Sequence, residues 1–160
     1  MTRILGIDPG LQHTGWGIIT HQKNQLSFMD CGVVHSDPKL PTPARLKQIH
    51  DGLQQVMALH RPEEAAVEET FINKNAASSL KLGHARGAIL LSLSLAGITV
   101  HEYSANLVKK SVVGKGHADK LQVAMMVKVL LPTSAAKSAD AADALAVAIT
   151  HAHHRASAGC

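Results

Sequence analysis

Four carboxylates stand at positions where a charge is costly for a folding chain. Asp8 ends one apolar run and Glu68 ends another. Asp140 and Asp143 lie three residues apart in an alanine-rich segment, so they share one face of a helix about one turn apart. If the strands that end at Asp8 and Glu68 are parallel neighbours, both acids reach the same sheet edge, where the final helix can bring the other two over them.

A cluster of this kind predicts a metal site. Converging acids repel one another unless a cation neutralises them, and hard oxygen ligands suit Mg²⁺ or Mn²⁺. Two such ions, roughly 3.5–4 Å apart, would activate a water and stabilise the leaving oxygen in phosphodiester hydrolysis. Each acid also has an ordinary structural explanation: a turn opener at Asp8, a solvated strand end at Glu68, and favourable helix-dipole contacts for Asp140 and Asp143. Only the combination of all four favours chemistry.

The elements that must position these acids follow from the apolar patterning. Strands are predicted at 3–8, 14–20, 25–35, 64–68 and 98–103, and helices at 43–59, 76–95, 105–112, 118–130 and from Ser138 onward. Thr42 has the character of an N-cap, with Pro43 at the first helical position. A hairpin followed by strand–helix alternation predicts an α/β fold, a mixed sheet of about five strands flanked by helices. Residues 1–155 are predicted to form one domain, with 156–160 as a frayed tail.

Composition and charge limit the kinds of partner that the protein is expected to bind. The net charge of +4 and the pI of about 9.2 permit a polyanionic partner. With 2% aromatic residues, a broad stacking platform for single strands is not expected. No apolar run reaches the roughly 18 residues of a membrane span, and the start has no signal-peptide pattern, so we expect a cytoplasmic protein. Cys31 and Cys160 are expected to be free thiols in a reducing compartment.

Four segments, in order, resemble the motifs of one family. They read ILGIDPGLQHTGWGII, AVEETFINKNAASSLKLGHARG, VKKSVVGKGHADKLQV and ADAADALAVAITHAH. The chain is similar over residues 3 to about 153 to RuvC, the family of Holliday-junction resolvases or crossover junction endodeoxyribonucleases. One motif alone would be weak, but four in the right order and spacing make a strong match.

The resemblance implies a ribonuclease H-like fold and a homodimer that cuts four-way DNA junctions with Mg²⁺, for which Mn²⁺ would substitute, with two ions per site. Two symmetric nicks would leave 5′-phosphate and 3′-hydroxyl ends, and a branch-migration motor of RuvA and RuvB type would be a partner. The catalytic and metal-binding residues would be Asp8, Glu68, Asp140 and Asp143. Asp140 stands where the residue type varies among relatives. Glu69, where the family commonly has Gln, is interpreted as an accessory acid.

The same resemblance suggests DNA contacts. Phe71 matches an aromatic that stacks on or wedges between bases near the crossover, although a core Phe would also fit. Lys109 and Lys120 match basic positions near the cut. Looser phosphate-contact candidates, each of which could equally be a solvated charge, are Lys74, Lys81, Arg86, Lys110 and Lys115.

Two further segments allow alternatives. The helix at 76–95, with Gly83 and Gly87, is the candidate dimer interface, and an internal core helix is the other interpretation. The C-terminal histidines 151, 153 and 154 are interpreted as a solvated terminus, with a minor role for His151 behind the acids left open.

Two other classes of protein share some of these features. The GIDPG segment resembles the first phosphate loop of actin-like and sugar-kinase-like ATPases, but 160 residues leave no room for the second lobe that those proteins need. A non-catalytic module that binds DNA structures would be expected to lack one of the carboxylates, and all four are present.

Overall fold

The computed structural model describes residues 1–70 and 75–158, the last three by their backbone alone. The strands are β1 (Thr2–Asp8), β2 (His13–Gln22), β3 (Gln25–His35), β4 (Glu64–Glu69) and β5 (Thr99–Ser104). The helices are α1 (Thr42–His60), α2 (Ala76–Leu95), α3 (Ala105–Val113), α4 (Lys120–Leu130) and α5 (Ala139–Ala158). Every predicted element is present in the predicted order.

The strands form one mixed sheet in the order β3-β2-β1-β4-β5. β1, β2 and β3 pair antiparallel as a meander, whereas β4 lies parallel to both β1 and β5. The register of β1 and β4 aligns Ile4 with Glu64 and Ile7 with Val67. The predicted parallel neighbours are therefore confirmed, and β1 and β4 end at the same edge of the sheet.

Side chains alternate between the two faces of the sheet, and each face carries its own core. Leu5, Ile7 and Val67 face a cluster that α1 and α2 cover. Ile4 and Ala66 face a second cluster, covered by α3, α4 and α5. Both faces of the parallel strands are thus buried, which explains why β1 and β4 read as nearly continuous apolar runs.

α5 crosses the sheet at close range because the strands beneath it carry glycine. A Cβ on Gly6 would lie 2.0 Å from the carbonyl oxygen of Ala144, and a Cβ on Gly15 would lie 2.1 Å from that of Asp140. The hydroxyl of Ser138 accepts a hydrogen bond from the backbone N–H of Ala141 (3.1 Å) and so caps the start of the helix. The close approach of α5 to Gly6 and Gly15 sets the height of the Asp140 and Asp143 carboxylates above β1.

Several helix boundaries differ from the predicted ones. α1 begins one residue earlier, with Pro41 rather than Thr42 as its N-cap. α4 begins at Lys120, because Asp119 forms a capping box with Gln122. α5 continues through Ala158, into the predicted frayed tail of residues 156–160. Within the described ranges, every helix is too short or too polar to cross a bilayer.

Candidate active site

The alternation along β1 and β4 directs two acids towards α5. Asp8 shares its face with Ile4 and Gly6, and Glu68 shares its face with Ala66. Both residues stand at the carboxyl ends of adjacent parallel strands. Asp8 and Glu68 line the same cavity and interact electrostatically, so the sheet alone brings two of the four predicted acids close together.

The third acid comes from α5. Asp143, Asp8 and Glu68 line one cavity of about 270 Å³, together with Thr70 and with residues from α3 and α4. Asp140 does not line this cavity, but it acts electrostatically on both Asp8 and Asp143 from the first turn of the helix. The predicted convergence is present for Asp8, Glu68 and Asp143, with Asp140 at its rim.

The pKa values of the carboxyl groups in the cavity are raised above their ordinary values. The pKa of Asp8 is raised to about 8, first by burial and then by the neighbouring charges of Glu68, Asp143 and Asp140, in that order. Burial also raises the pKa of Glu68, as does the charge of Asp143. Burial raises the pKa of Asp143 as well, although Lys120 opposes this effect. A proton or a cation is needed to offset the repulsion among these carboxylates.

Two lysines partly offset the negative charge of these carboxylates. The Lys120 Nζ lies 3.7 Å from Oδ2 of Asp143 and its side chain is largely exposed. Lys109, half-buried on α3, lines the same cavity. Both lysines therefore lie beside the acids and also border the opening through which a phosphate would approach.

The donor set fits a divalent cation that binds oxygen. Asp8, Glu68 and Asp143 offer carboxylate oxygens from three rigid elements, and the described part of the cavity lining contains no thiol or imidazole. Mg²⁺ and Mn²⁺ prefer such ligands. Burial and then mutual repulsion raise the pKa values of Asp8 and Glu68, and a bound cation would offset both effects.

The remaining predicted contacts lie in different environments. Lys81, Lys110 and Lys115 are exposed. Phe71 and Lys74 lie outside the described residues. Thr70 lines the cavity and was not singled out from the sequence, since a single Thr after two acids carries no distinctive pattern.

Arg86 is half-buried and makes two contacts within the protein. One guanidinium nitrogen donates to the backbone carbonyl of Glu68, and another contacts the carboxylate of Glu102. Its side chain is 17% exposed.

A second polar cluster occupies the opposite end of α5 and corrects the interpretation of the histidines. His151 is buried rather than solvated: its Nδ1 is 2.7 Å from the Tyr103 hydroxyl and its Nε2 is 2.6 Å from Oε2 of Glu64. Arg155 Nε donates to the same Glu64 oxygen (2.8 Å). His101 stacks on the His151 ring, with centroids 4.3 Å apart.

These contacts also argue against a metal centre in this cluster. One ligand atom each from Glu64, His101 and His151 lies within 4.8 Å of the others. However, both ring nitrogens of His151 are already hydrogen-bonded within the protein, and a guanidinium lies against Glu64. We interpret the cluster as a clamp that joins α5 to β4. The sequence held one hint of it, since Glu64 and Glu68 are an even number of residues apart and share a strand face.

The fold and the site together define a class. A five-stranded sheet in the order β3-β2-β1-β4-β5, with carboxylates at the ends of two parallel strands and on the helix across them, is the arrangement implied for ribonuclease H-like nucleases. Comparison with known proteins narrows this class. The family model described as "Crossover junction endodeoxyribonuclease RuvC" matches residues 4–151, and the chain belongs to that family.

Individual relatives agree over nearly the whole chain. RuvC of Methylorubrum populi is 60% identical over 153 residues, which are 96% of this chain and 81% of the relative. RuvC of Afipia carboxidovorans is 60% identical over 156 residues, 98% of this chain and 91% of the relative. The solved structure of Thermus thermophilus RuvC in complex with a Holliday junction substrate superposes with a TM-score of 0.90 at 35% identity, covering 99% of this chain and 97% of that one. The predicted family and the ribonuclease H-like fold are confirmed.

Proposed function

We propose that this protein is a divalent-metal-dependent endonuclease that resolves four-way DNA junctions by paired symmetric nicks during recombination and repair. One observation carries the proposal: Asp8, Glu68 and Asp143 meet in a single cavity, in a chain whose family members are crossover junction endodeoxyribonucleases. The nicks would leave 5′-phosphate and 3′-hydroxyl ends.

Asp8, Glu68 and Asp143, with Asp140 at the rim, would hold Mg²⁺, with Mn²⁺ as a substitute and two ions per site. When bound, the metal supplies an activated water and stabilisation of the leaving oxygen. The protein supplies the rest of the geometry: β1 and β4 fix two ligands in register, and α5 places the third. Lys120 and Lys109 are positioned to offset phosphate charge at the mouth of the cavity.

The DNA would cross the surface around that cavity. Exposed Lys81, Lys110 and Lys115 are proposed phosphate contacts, in addition to Lys109 and Lys120. Phe71 and Lys74 remain proposed contacts from the family resemblance alone. Neutralising several phosphates would make junction binding steeply dependent on salt.

A homodimer would match the symmetry of the substrate, since two equivalent sites can then address two strands of like polarity. The outward face of α2 supports this proposal. One side of α2 is in the core through Ala85, Ile89 and Leu93. The other side is open, and residues on it recur about once per helical turn: Leu80, Gly83, Gly87, Leu91 and Leu95. The three leucines are 59–71% exposed, and no described atom lies within 4 Å of a Cβ added at either glycine. An exposed apolar helix face of this kind is typical of an interface.

Two further proposals follow from the family resemblance alone. A branch-migration motor of RuvA and RuvB type would deliver the junction, and the protein would act in the cytoplasm. Co-purification of the chain with such a motor on junction DNA would test the first.

The function is tested with a synthetic mobile four-way junction. We expect Mg²⁺-dependent symmetric nicks that disappear with EDTA and with Asp8→Asn, while Asp8→Asn still binds the junction. An intact junction at high protein concentration, with binding retained, would instead identify a DNA-structure-binding module. Hydrolysis of ATP without junction cleavage would favour the ATPase alternative.

A further inference from the structure

Arg86 connects α2 to the end of the strand that carries Glu68. Its guanidinium donates to the backbone carbonyl of Glu68 and contacts the carboxylate of Glu102 on β5. The Arg86 side chain is only 17% exposed, and that of Glu102 is 39% exposed. Arg86 is therefore committed to contacts within the protein on the face of the sheet that α1 and α2 cover.

The backbone at Glu68 needs such support. The pairing of β1 with β4 ends at Ile7 and Val67, so Glu68 is paired only on its β5 side, with Tyr103. A charge-assisted hydrogen bond to a carbonyl is about twice as strong as a neutral one and has a defined direction.

The Glu68 carboxylate and Arg86 lie on opposite faces of the sheet. The Glu68 carboxylate projects to the α5 face, towards Asp8 and Asp143, whereas Arg86 grips the Glu68 backbone from the opposite face. The direction of the Cα–Cβ bond follows from the backbone, so a peptide that tilts at Glu68 would move the carboxylate. A displacement of about 1 Å is enough to impair a metal or catalytic geometry.

We propose that Arg86 is a positioning residue for Glu68: it fixes the end of β4 so that the Glu68 carboxylate holds its place in the divalent-metal site, with Glu102 orienting the guanidinium. This inference rests on the proposed function of the acids. It assigns Arg86 a role different from the phosphate contact that the sequence suggested, since a phosphate would have to displace Glu102 and the Glu68 carbonyl to reach the guanidinium.

The test compares Arg86→Met, which keeps the bulk and removes the bonds, with Lys81→Met, which removes an exposed charge from the same helix. Three quantities are measured: Mn²⁺ affinity by titration calorimetry without DNA, the Mg²⁺ concentration for half-maximal single-turnover cleavage, and the salt dependence of junction affinity without divalent metal. For Arg86→Met we expect Mn²⁺ affinity and Mg²⁺ requirement to worsen by about tenfold, the lower end for residues that orient metal ligands. Its junction affinity and salt slope should match the wild type.

Lys81→Met should show the opposite pattern, with unchanged metal affinity and, if Lys81 contacts a phosphate, a salt slope smaller by about one. The same pattern in Arg86→Met would overturn the proposal in favour of a phosphate contact. Unchanged metal affinity and unchanged salt slope in Arg86→Met would overturn it too, leaving Arg86 with no part in the site.

Two further variants keep the test decisive. If Arg86→Met does not fold, Arg86→Lys retains the charge but cannot make both contacts, and it should still weaken Mn²⁺ binding. Glu102→Gln should give a smaller loss of Mn²⁺ affinity in the same direction, because the bond to the Glu68 carbonyl survives. Calorimetry needs no cleavage, so a wild type that binds Mn²⁺ but cuts no junction would refute the proposed function separately.

Discussion

At the scale of the residue, Glu68 and Glu69 are neighbours with different surroundings. Glu68 lines the acidic cavity, whereas Glu69 points to the other face of β4 by strand alternation. Their adjacency makes them easy to confuse in the sequence, and only their orientation separates them.

We expect Glu68→Gln to lose cleavage and Glu69→Gln to keep it. Loss of a metal ligand removes several kcal/mol of transition-state stabilisation, which corresponds to roughly 10²–10³-fold in rate. Single-turnover cleavage of a saturating junction measures both variants, and a gel shift confirms that both still bind. A larger loss for Glu69→Gln than for Glu68→Gln would show that the two roles are reversed.

Asp8 links the site to the stability of the metal-free protein. Its pKa is raised from 3.8 to about 8 in the folded state, first by burial and then by Glu68. A folded-state pKa above the unfolded value means that the folded protein binds the proton more tightly. Stability from this group is therefore present below about pH 4 and is lost as the pH rises towards about 8.

Metal-free wild type should accordingly melt at a lower temperature at pH 8 than the Asp8→Asn variant does. Since 1 kcal/mol shifts the melting temperature by roughly 2–4 °C in a domain of this size, we expect a gain of several degrees, shrinking towards pH 5. Mg²⁺ should stabilise the wild type at pH 8 and the variant much less. Asp37→Asn, at an exposed acid, serves as the control. Equal pH dependence in Asp8→Asn and wild type would contradict this account.

At the scale of the element, the approach of α5 to β1 decides whether the acids meet. Gly6 lies beneath Ala144, which is one turn beyond Asp140, and beneath Ala148, which is one turn further along α5. An added Cβ would strike the carbonyl oxygen of Ala144 and the nitrogen and Cβ of Ala148, which cannot move aside as a flexible side chain could.

Gly6→Ala should therefore lift α5 off the sheet. The expected cost is roughly 1–3 kcal/mol, as for other overpacked sites, with a further loss of cleavage because Asp143 retreats from Asp8. Chemical denaturation and junction cleavage measure the two effects. Gly116→Ala is the matched control, since open space surrounds that position. A Gly6→Ala protein with unchanged stability and activity would show that the close contact is not needed.

At the scale of the whole molecule, the open face of α2 is expected to hold two copies together. Leu91→Glu should place a charge in that interface and shift the protein towards the monomer in sedimentation equilibrium, while the melting curve of the monomer stays cooperative. Leu121→Glu on α4, at a leucine 69% exposed, is the control. Dissociation by Leu121→Glu alone would place the interface on α4 instead.

The clamp at the far end of α5 should make the fold sensitive to acid. Partial burial acts to raise the pKa of Glu64, but hydrogen bonds from His151 and Arg155 outweigh it and hold that pKa below its usual value. Burial lowers the pKa of His151, although Glu64 opposes this effect. Both groups thus stabilise the fold above their unfolded pKa values. This stability is lost as the pH falls below 6.5 for His151 and below 4.5 for Glu64, towards their lower folded-state pKa values.

Glu64→Gln should lower the free energy of unfolding at pH 7 by about 1.5–3 kcal/mol, the range for hydrogen bonds to charged groups. The difference from wild type should shrink as the pH falls below 4.5. Denaturant titrations from pH 7 through 4.5 and further into acid measure it, with the exposed Glu63→Gln as control. A constant difference across this range would show that the carboxylate charge does not contribute.

The sequence by itself determined the element order, the mixed sheet and the acids at the strand ends, because strand alternation, helical periodicity and turn residues act within a few positions of the chain. It also determined that Asp140 and Asp143 share a helix face. Tertiary structure alone decided that His151 is buried against Glu64, 87 residues away in the chain, and that Arg86 grips the Glu68 backbone. These contacts depend on how closely α2 and α5 pack on the sheet, and no local pattern encodes that distance.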